Sequence, residues 1–327
     1  MLDIVLIVVF LAILFDISNG YNDSANAIAT VVSTRVLKPS QAVLLAGFLN
    51  VLGAFLTTAV AKTIGKGVVD PKAITEGVVA SSLLAGFIWN SAMTRFGLPV
   101  SASHALIGGL IGASVSHGGF SILNVQGLKT IFLSLLLSPI LGIIFGYCFM
   151  KFILALCANL STCAVNKYFG KLQIVSASFM AFSHGSNDAQ KVMGIITLSL
   201  ISGGYIHSLE VPLWVILACA LAMGLGTAIG GWKVIKTMGI KMLKLEPVHG
   251  FAAETSATAV ILGASHFGLP VSTTHVIATA IMGVGATKRL TAVRWGIGRK
   301  IVNAWIFTLP ACSIAAWIVY KIVAVFS

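Results

Sequence analysis

The sequence predicts an all-α integral membrane protein, an inverted repeat of two five-segment halves, each with a broken first helix and a re-entrant helical hairpin. Three observations carry this. The chain has 327 residues, of which 57% are hydrophobic and only 9% charged, against about 25% charged in a soluble domain. The unit Gly20-Tyr21-Asn22-Asp23-Ser24-Ala25-Asn26 returns far along the chain as Gly185-Ser186-Asn187-Asp188-Ala189-Gln190. A second unit, Gly97-Leu98-Pro99-Val100-Ser101-Ala102-Ser103-His104, returns at nearly the same interval as Gly268-Leu269-Pro270-Val271-Ser272-Thr273-Thr274-His275.

The elements follow in order. Apolar segments fall near 2–34, 42–62, 74–97, 99–116, 129–157, 171–202, 210–235, 248–268, 270–286 and 300–324. The first lacks a basic leader and a small-residue cleavage site, so it reads as a span and not as a signal peptide. The first and sixth segments exceed the ~20 residues of a straight span, and each carries its Asn-Asp pair well inside, so a break is expected there. The third and fourth segments, and again the eighth and ninth, meet too tightly at Gly-Leu-Pro for an ordinary loop. They read as re-entrant hairpins with tips at Pro99 and Pro270. The order A–B–A′–B′ sets halves at 1–157 and 171–327, with 158–170 as linker. Each half then crosses an odd number of times, which inverts the second against the first.

Charge supports a membrane setting. The net charge is +12, but the basic residues gather in short loops, the pattern that orients membrane proteins and not one that suits nucleic acid. With the N-terminus outside, fourteen basic residues, among them Arg35, Lys38, Lys233 and Arg294, fall inside, and five, Lys62, Lys66, Lys72, Lys129 and Lys321, fall outside. Both termini are therefore expected outside. The five cysteines form no CxxC pair and suit no disulfide framework. No phosphate-binding Gly-rich loop or dinucleotide fingerprint is present, so no cofactor is expected. The absence of long tails points to a prokaryotic inner membrane, and a homodimer is the expected assembly.

The polar residues suggest an anion held with a cation. Proline suits a helix start, and Ser101, Ser103, Ser272, Thr273 and Thr274 then fall in the first turn. There, free N–H groups and the helix dipole favour an anion, and hydroxyls add donors around a tetrahedral oxyanion. A bare carboxylate would repel that anion. Asp23 and Asp188 make sense if Na⁺ or a proton neutralises them first. Asn22, Asn26, Asn187 and Gln190 supply neutral oxygens for a hard cation, and Asn22 and Asn187 are also placed to reach the anion. Glu254, well before Pro270 in its apolar arm and matched by Leu83, is a further coupling carboxylate. Lys191 is read as partner either of an intramembrane acid or of the anion. Asp16 is left out of the site, and His104 and His275 are expected to orient the tips by hydrogen bonding.

These residues resemble the inorganic phosphate transporter family of secondary symporters. The resemblance rests on GYNDSANA and SHGSNDAQK and on the twin GLPVSASH and GLPVSTTH, and it covers both halves. It implies phosphate uptake coupled to Na⁺ or H⁺ without a cofactor. It also implies Asp23 and Asp188 as coupling acids and the hydroxyls after each proline as phosphate ligands. The short linker stands where animal members carry a large cytoplasmic loop, so regulation through such a loop is not expected. Glu76 stands off the register of the acid that members carry in the first hairpin, and no role is assigned to it.

Three other readings are weighed against this one. A permease for sulfate or arsenate would use the same hydroxyls and helix ends. An intramembrane enzyme acting on a phospholipid could use His184 and Asp188, which stand i and i+4. A passive channel would leave the hydroxyl-rich tips without a task.

Overall fold

The computed structural model describes residues 2–69 and 73–326, so Lys72 lies outside the described residues. Each half opens with a long helix, α1 (Leu2–Ser33) or α7 (Thr162–Ser202). A broken helix follows: α2 (Pro39–Gly53) with α3 (Ala59–Gly67), or α8 (Leu213–Ile229) with α9 (Trp232–Lys236) and a π turn over Thr237–Lys241. Next comes a helical hairpin, α4 (Glu76–Phe96) with α5 (Ala102–Gly118), or α10 (Pro247–His266) with α11 (Thr273–Lys288). A single 3₁₀ turn leads to the last helix, α6 (Val125–Leu156) or α12 (Trp295–Phe326), with Pro139 or Pro310 inside it. The described residues contain no strand beyond one isolated bridge, Val69–Leu123.

Identical local chemistry builds both hairpins. Gly97 and Gly268 end the first arms with φ of 71° and 67°, a left-handed conformation open chiefly to glycine. Leu98 N–H returns to Met93 O (3.0 Å) and Leu269 N–H to Ala264 O (2.9 Å), the six-to-one bond of a Schellman cap. Ser101 and Ser272 then start the second arms, accepting from His104 N (3.2 Å) and His275 N (3.3 Å).

The halves interlock. The first helix of each packs on the broken helix of the other, α1 on α8 and α7 on α2, and the last helix of each packs on the other's hairpin, α12 on α5 and α6 on α11. Glycines permit the contact. A Cβ on Gly185 would sit 2.2 Å from Asn50 O, and one on Gly20 would sit 2.4 Å from Met223 O.

Two apolar cores flank a polar layer. Val5, Val8, Ala12 and Phe15 of α1 join one core, and Ala25, Ile28 and Val31 join the other. On α7 the order reverses, with Ala177 and Met180 in the second of these cores and Val192 to Leu200 in the first. Between the cores lie Asp16 to Ser24 and Ser183 to Asp188, almost all buried. Outside, Leu44, Phe48, Leu136, Leu213, Ile306 and Phe307 are more than 60% exposed, an apolar surface that suits lipid and not water. Helices α1, α4, α6 and α12 are long and apolar enough to cross a membrane, and α8 with the helical stretch after it adds a fifth, bent by 61°.

Two expectations are corrected. The break is not in the first helix of each half: α1 and α7 are continuous, and the second helix is broken instead. The polar groups of the Asn-Asp units are met sideways by the hairpins, and Gly20 and Gly185 serve close packing. Unwinding would strand backbone groups that lipid cannot satisfy. The linker is also shorter than 158–170, since α7 starts at Thr162, capped by Ser161 (3.3 Å to Ala164 N).

Candidate functional site

The polar layer is assembled from α1, α7 and the two hairpin tips. Asn22, on α1, donates to Thr94 Oγ1 near the end of α4 (2.6 Å). Asn187, its repeat on α7, donates to Ser265 Oγ near the end of α10 (2.8 Å). Thr94 and Ser265 hold the same place before Gly97-Leu98-Pro99 and Gly268-Leu269-Pro270, so each half ties its own Asn-Asp unit to its own hairpin in the same way. The tips also reach each other reciprocally. Ser103 Oγ donates to Val271 O and Thr274 Oγ1 lies against Val100 O, each at 3.3 Å.

The second tip holds both acids. Thr273 donates to Asp188 Oδ2 (3.1 Å) and Thr274 to Asp23 Oδ1 (3.0 Å). Asn26 Nδ2 donates to both hydroxyls, at 3.4 and 3.0 Å. Asn22, Asp23, Asn187, Asp188, Thr273 and Thr274 are all at most 1% exposed. By helix geometry the N–H groups of Ala102, Ser103, Thr273 and Thr274 have no partner within their own helices. They point two positive helix ends into the same layer.

Three groups that could hold a cation meet between the two hairpin-bound acids. His184 Nε2 is 3.8 Å from Asp23 Oδ2 and 3.6 Å from Asp188 Oδ2, and the three atoms lie within 4.8 Å of one another. His184 Nδ1 meets Asn50 Oδ1 at 2.9 Å. An amide oxygen only accepts, so Nδ1 donates to it, and Nε2 is turned toward the two carboxylates. A ring nitrogen and two carboxylate oxygens facing one another suit a cation or a proton among them, although Asp188 already holds Lys191 against its other oxygen (2.6 Å). Asp23 Oδ2, Asn22 Oδ1, Asn26 Oδ1 and Asn187 Oδ1 are buried without a hydrogen-bond partner, and such oxygens suit a hard cation.

A sequence profile described as the phosphate transporter family matches residues 19–164 and again 158–316, so both Asn-Asp units and both hydroxyl-bearing tips fall within it. The chain belongs to the phosphate transporter family. It is 44% identical over 325 residues to a probable low-affinity inorganic phosphate transporter of Bacillus subtilis (strain 168), covering 98% of each chain. A protein of the same description from Rhizobium meliloti (strain 1021) is 44% identical over 311 residues, covering 94% of this chain and 93% of its own. A solved structure titled the sodium-dependent phosphate transporter superposes with a TM-score of 0.90 at 26% identity, covering 99% of this chain and 100% of its own. These relatives are transporters, and the chain is not an enzyme.

Several site residues of this phosphate transporter family member stand otherwise than expected. Gln190 is spent on structure. Its Oε1 accepts from Val60 N (2.9 Å) and Ala61 N (3.4 Å), capping α3, and its Nε2 donates to Ser186 O. Glu254 is not beside the aspartates. It accepts from Thr30, Ser176 and Gln173, and Thr30 stands two helical turns beyond Asp23, roughly 10 Å along α1. Ser101 and Ser272 are N-caps whose oxygens accept a backbone N–H, and each keeps its own O–H to donate. His104 and His275 do not orient the tips by side-chain hydrogen bonds. His104 Nδ1 and both ring nitrogens of His275 lack partners, and the rings stack instead, 4.7 Å apart, with His275 3.9 Å from the Trp305 ring.

Other site residues were missed in the sequence. Thr94 and Ser265 were legible as a pair, each at the same distance before its Gly-Leu-Pro. His184, without a histidine counterpart in the first half, gave no repeat signal. Asp16 and Asn19, buried on α1, keep carboxylate and amide oxygens without partners. A cavity of about 710 Å³ lined by Tyr21, Ser91, Thr94, Arg95, Trp232 and Lys233 reaches Thr94, the hydroxyl that Asn22 holds. Its two exposed cations would concentrate an anion at the approach to the site. Since Lys233 belongs to the loops read as inside, Arg95→Ala with Lys233→Ala is expected to raise the phosphate concentration for half-maximal transport from that side by about threefold to tenfold, most at low salt, with little change in uptake from the opposite side. A kinetic titration at two ionic strengths checks this.

Proposed function

We propose that this chain imports inorganic phosphate by symport with Na⁺, by alternating access of an inverted repeat with its site between the halves. The observation that carries the reading is the pair of bonds from Thr273 to Asp188 and from Thr274 to Asp23. Each hydroxyl has one hydrogen. Without the cation the acids hold those hydrogens, and Asp23, which lacks the ammonium that Lys191 sets against Asp188, repels an anion. Once a cation lies among Asp23 Oδ2, Asp188 Oδ2 and His184 Nε2, the carboxylates need them less. Thr273 and Thr274 can then turn to phosphate, beside the free N–H groups of the two tips. The cation thus comes first, and coupling is a property of the hydrogen-bond geometry.

Inversion is supported by the opposite order in which α1 and α7 pass through the two cores. Alternating access is supported by the exchange of packing partners between halves. Both termini outside the membrane is our reading of the loop charges. The sodium-dependent title of the structural neighbour supports Na⁺. H⁺ is the second reading, favoured by His184 Nε2, a basic nitrogen set between two acids. Phosphate is preferred over sulfate because its own protons let it tolerate nearby carboxylates. Uptake of labelled phosphate into proteoliposomes, under an imposed Na⁺ gradient, an imposed pH gradient or neither, tests the reading. Saturable uptake that responds to one gradient and yields little to sulfate is expected. Uptake indifferent to both gradients, or unsaturable conductance, would refute it.

A further inference from the structure

We infer that Lys191 is a tethered cation standing in for a second coupling ion, so that each cycle carries one Na⁺ or H⁺ through the aspartate site. The inference rests on the symport reading above. Laying one Asn-Asp unit on the other sets Asn22 on Asn187, Asp23 on Asp188 and Asn26 on Lys191. The first half has a neutral amide where the second has an ammonium.

The structure gives that difference a consequence. Lys191 is 2% exposed, and its Nζ lies 2.6 Å from Asp188 Oδ1. Asp188 Oδ2 accepts the Thr273 hydroxyl at 3.1 Å. Both oxygens of Asp188 are therefore satisfied within the protein. In the first half Asn26 turns its N–H groups to Thr273 and Thr274, its Oδ1 has no partner, and neither has Asp23 Oδ2. Two halves with matching acids thus differ in what neutralises them. Asp188 is served by the chain itself, and Asp23 is left for an ion from solution.

Charge counting agrees. Lys191 touches Asp188 and cancels its charge, which leaves Asp23 as the one of the two paired acids without a counter-charge in contact, its Oδ2 facing His184 Nε2 at 3.8 Å. One monovalent cation cancels the Asp23 charge, as burial demands. A second would have to share Asp188 with an ammonium already touching it. Lys191 is a positioning residue here: it acts through Asp188 and leaves the anion to the hairpin tips.

The test is the power with which phosphate accumulation follows the cation gradient in proteoliposomes, measured with Na⁺ and pH gradients in turn. Wild type is expected to follow the first power of the effective gradient. Lys191→Asn, which installs the residue of the first half, is expected to follow the second power, with a dependence on cation concentration about twice as steep on a logarithmic plot. Lys191→Arg keeps a fixed charge and should retain the first power at a reduced rate. A wild-type protein that follows the second power overturns the inference, and this comparison stands even if Lys191→Asn does not fold. So does a transporting Lys191→Asn that keeps the first power. Wild-type uptake indifferent to both gradients overturns the symport reading, and this inference with it.

Discussion

Asp23→Asn is expected to abolish phosphate accumulation against a gradient while leaving the protein folded. The amide has the shape of the carboxylate and can still accept the Thr274 hydroxyl at Oδ1, now 3.0 Å away. Asp23 Oδ2 receives no hydrogen bond from the protein, so no internal partner is orphaned by the change. What is lost is the charge that a coupling cation neutralises. Without that charge the cation has nothing to neutralise, so gradient-driven uptake should fall to background, with the melting temperature in detergent nearly unchanged. Asp188→Asn should differ: it leaves Lys191 buried without its 2.6 Å partner, and both uptake and stability should fall. Equal melting losses in the two variants would contradict the assignment of the free charge to Asp23.

Gly185→Ala is the second large effect, and it acts through packing. The new Cβ would lie 2.2 Å from the carbonyl oxygen of Asn50, a backbone atom that cannot swing aside. Gly53 makes the converse contact, with a Cβ there 2.0 Å from Phe182 O, so α2 and α7 are clasped from both sides. Relief requires the helices to part, which overpacking data place at about 1–3 kcal/mol. Parting also stretches the Asn50–His184 bond (2.9 Å) that fixes the histidine tautomer. The melting temperature should drop by several degrees and uptake should fall with it. Gly263→Ala is the control, since nothing lies within 4 Å of a Cβ there. It should leave stability unchanged or raise it by a few tenths of a kcal/mol. A tolerated Gly185→Ala would mean that the α2–α7 contact is looser than described.

The repeat was the legible part of this molecule. Duplicated Asn-Asp and Gly-Leu-Pro units announce themselves because both copies must reach one layer, and sliding one half of the chain along the other reveals them. The hairpins followed, since Gly, Pro and a Ser N-cap leave little other backbone choice. Length misled at α1 and α7. A helix longer than a straight span was read as broken, although a continuous helix satisfies its own backbone and presents its polar side chains laterally. Gln190 and Glu254 misled for another reason: their types suit a cation, but their partners, the N-terminus of α3 and the Thr30–Ser176–Gln173 group, come from elements far away in the chain. His184 was the hardest to read: it stands where its repeat partner, Asn19, is neutral, so a search for symmetry passes over it. Lys191, read as partner either of an intramembrane acid or of the anion, meets the acid, Asp188, at 2.6 Å.

The most direct measurement is phosphate binding to the purified protein at fixed pH, with Na⁺ replaced by choline, and then repeated with H⁺ raised at constant Na⁺. Linkage requires that a cation which must neutralise Asp23 raise phosphate affinity, and phosphate the cation's, by the same factor. One of the two cations is expected to tighten phosphate binding at least about tenfold, equivalent to about 1.4 kcal/mol of coupling, and Asp23→Asn should erase the difference. Wild-type phosphate affinity that ignores both cations would contradict the claim that the acids and the hydroxyls form one coupled site.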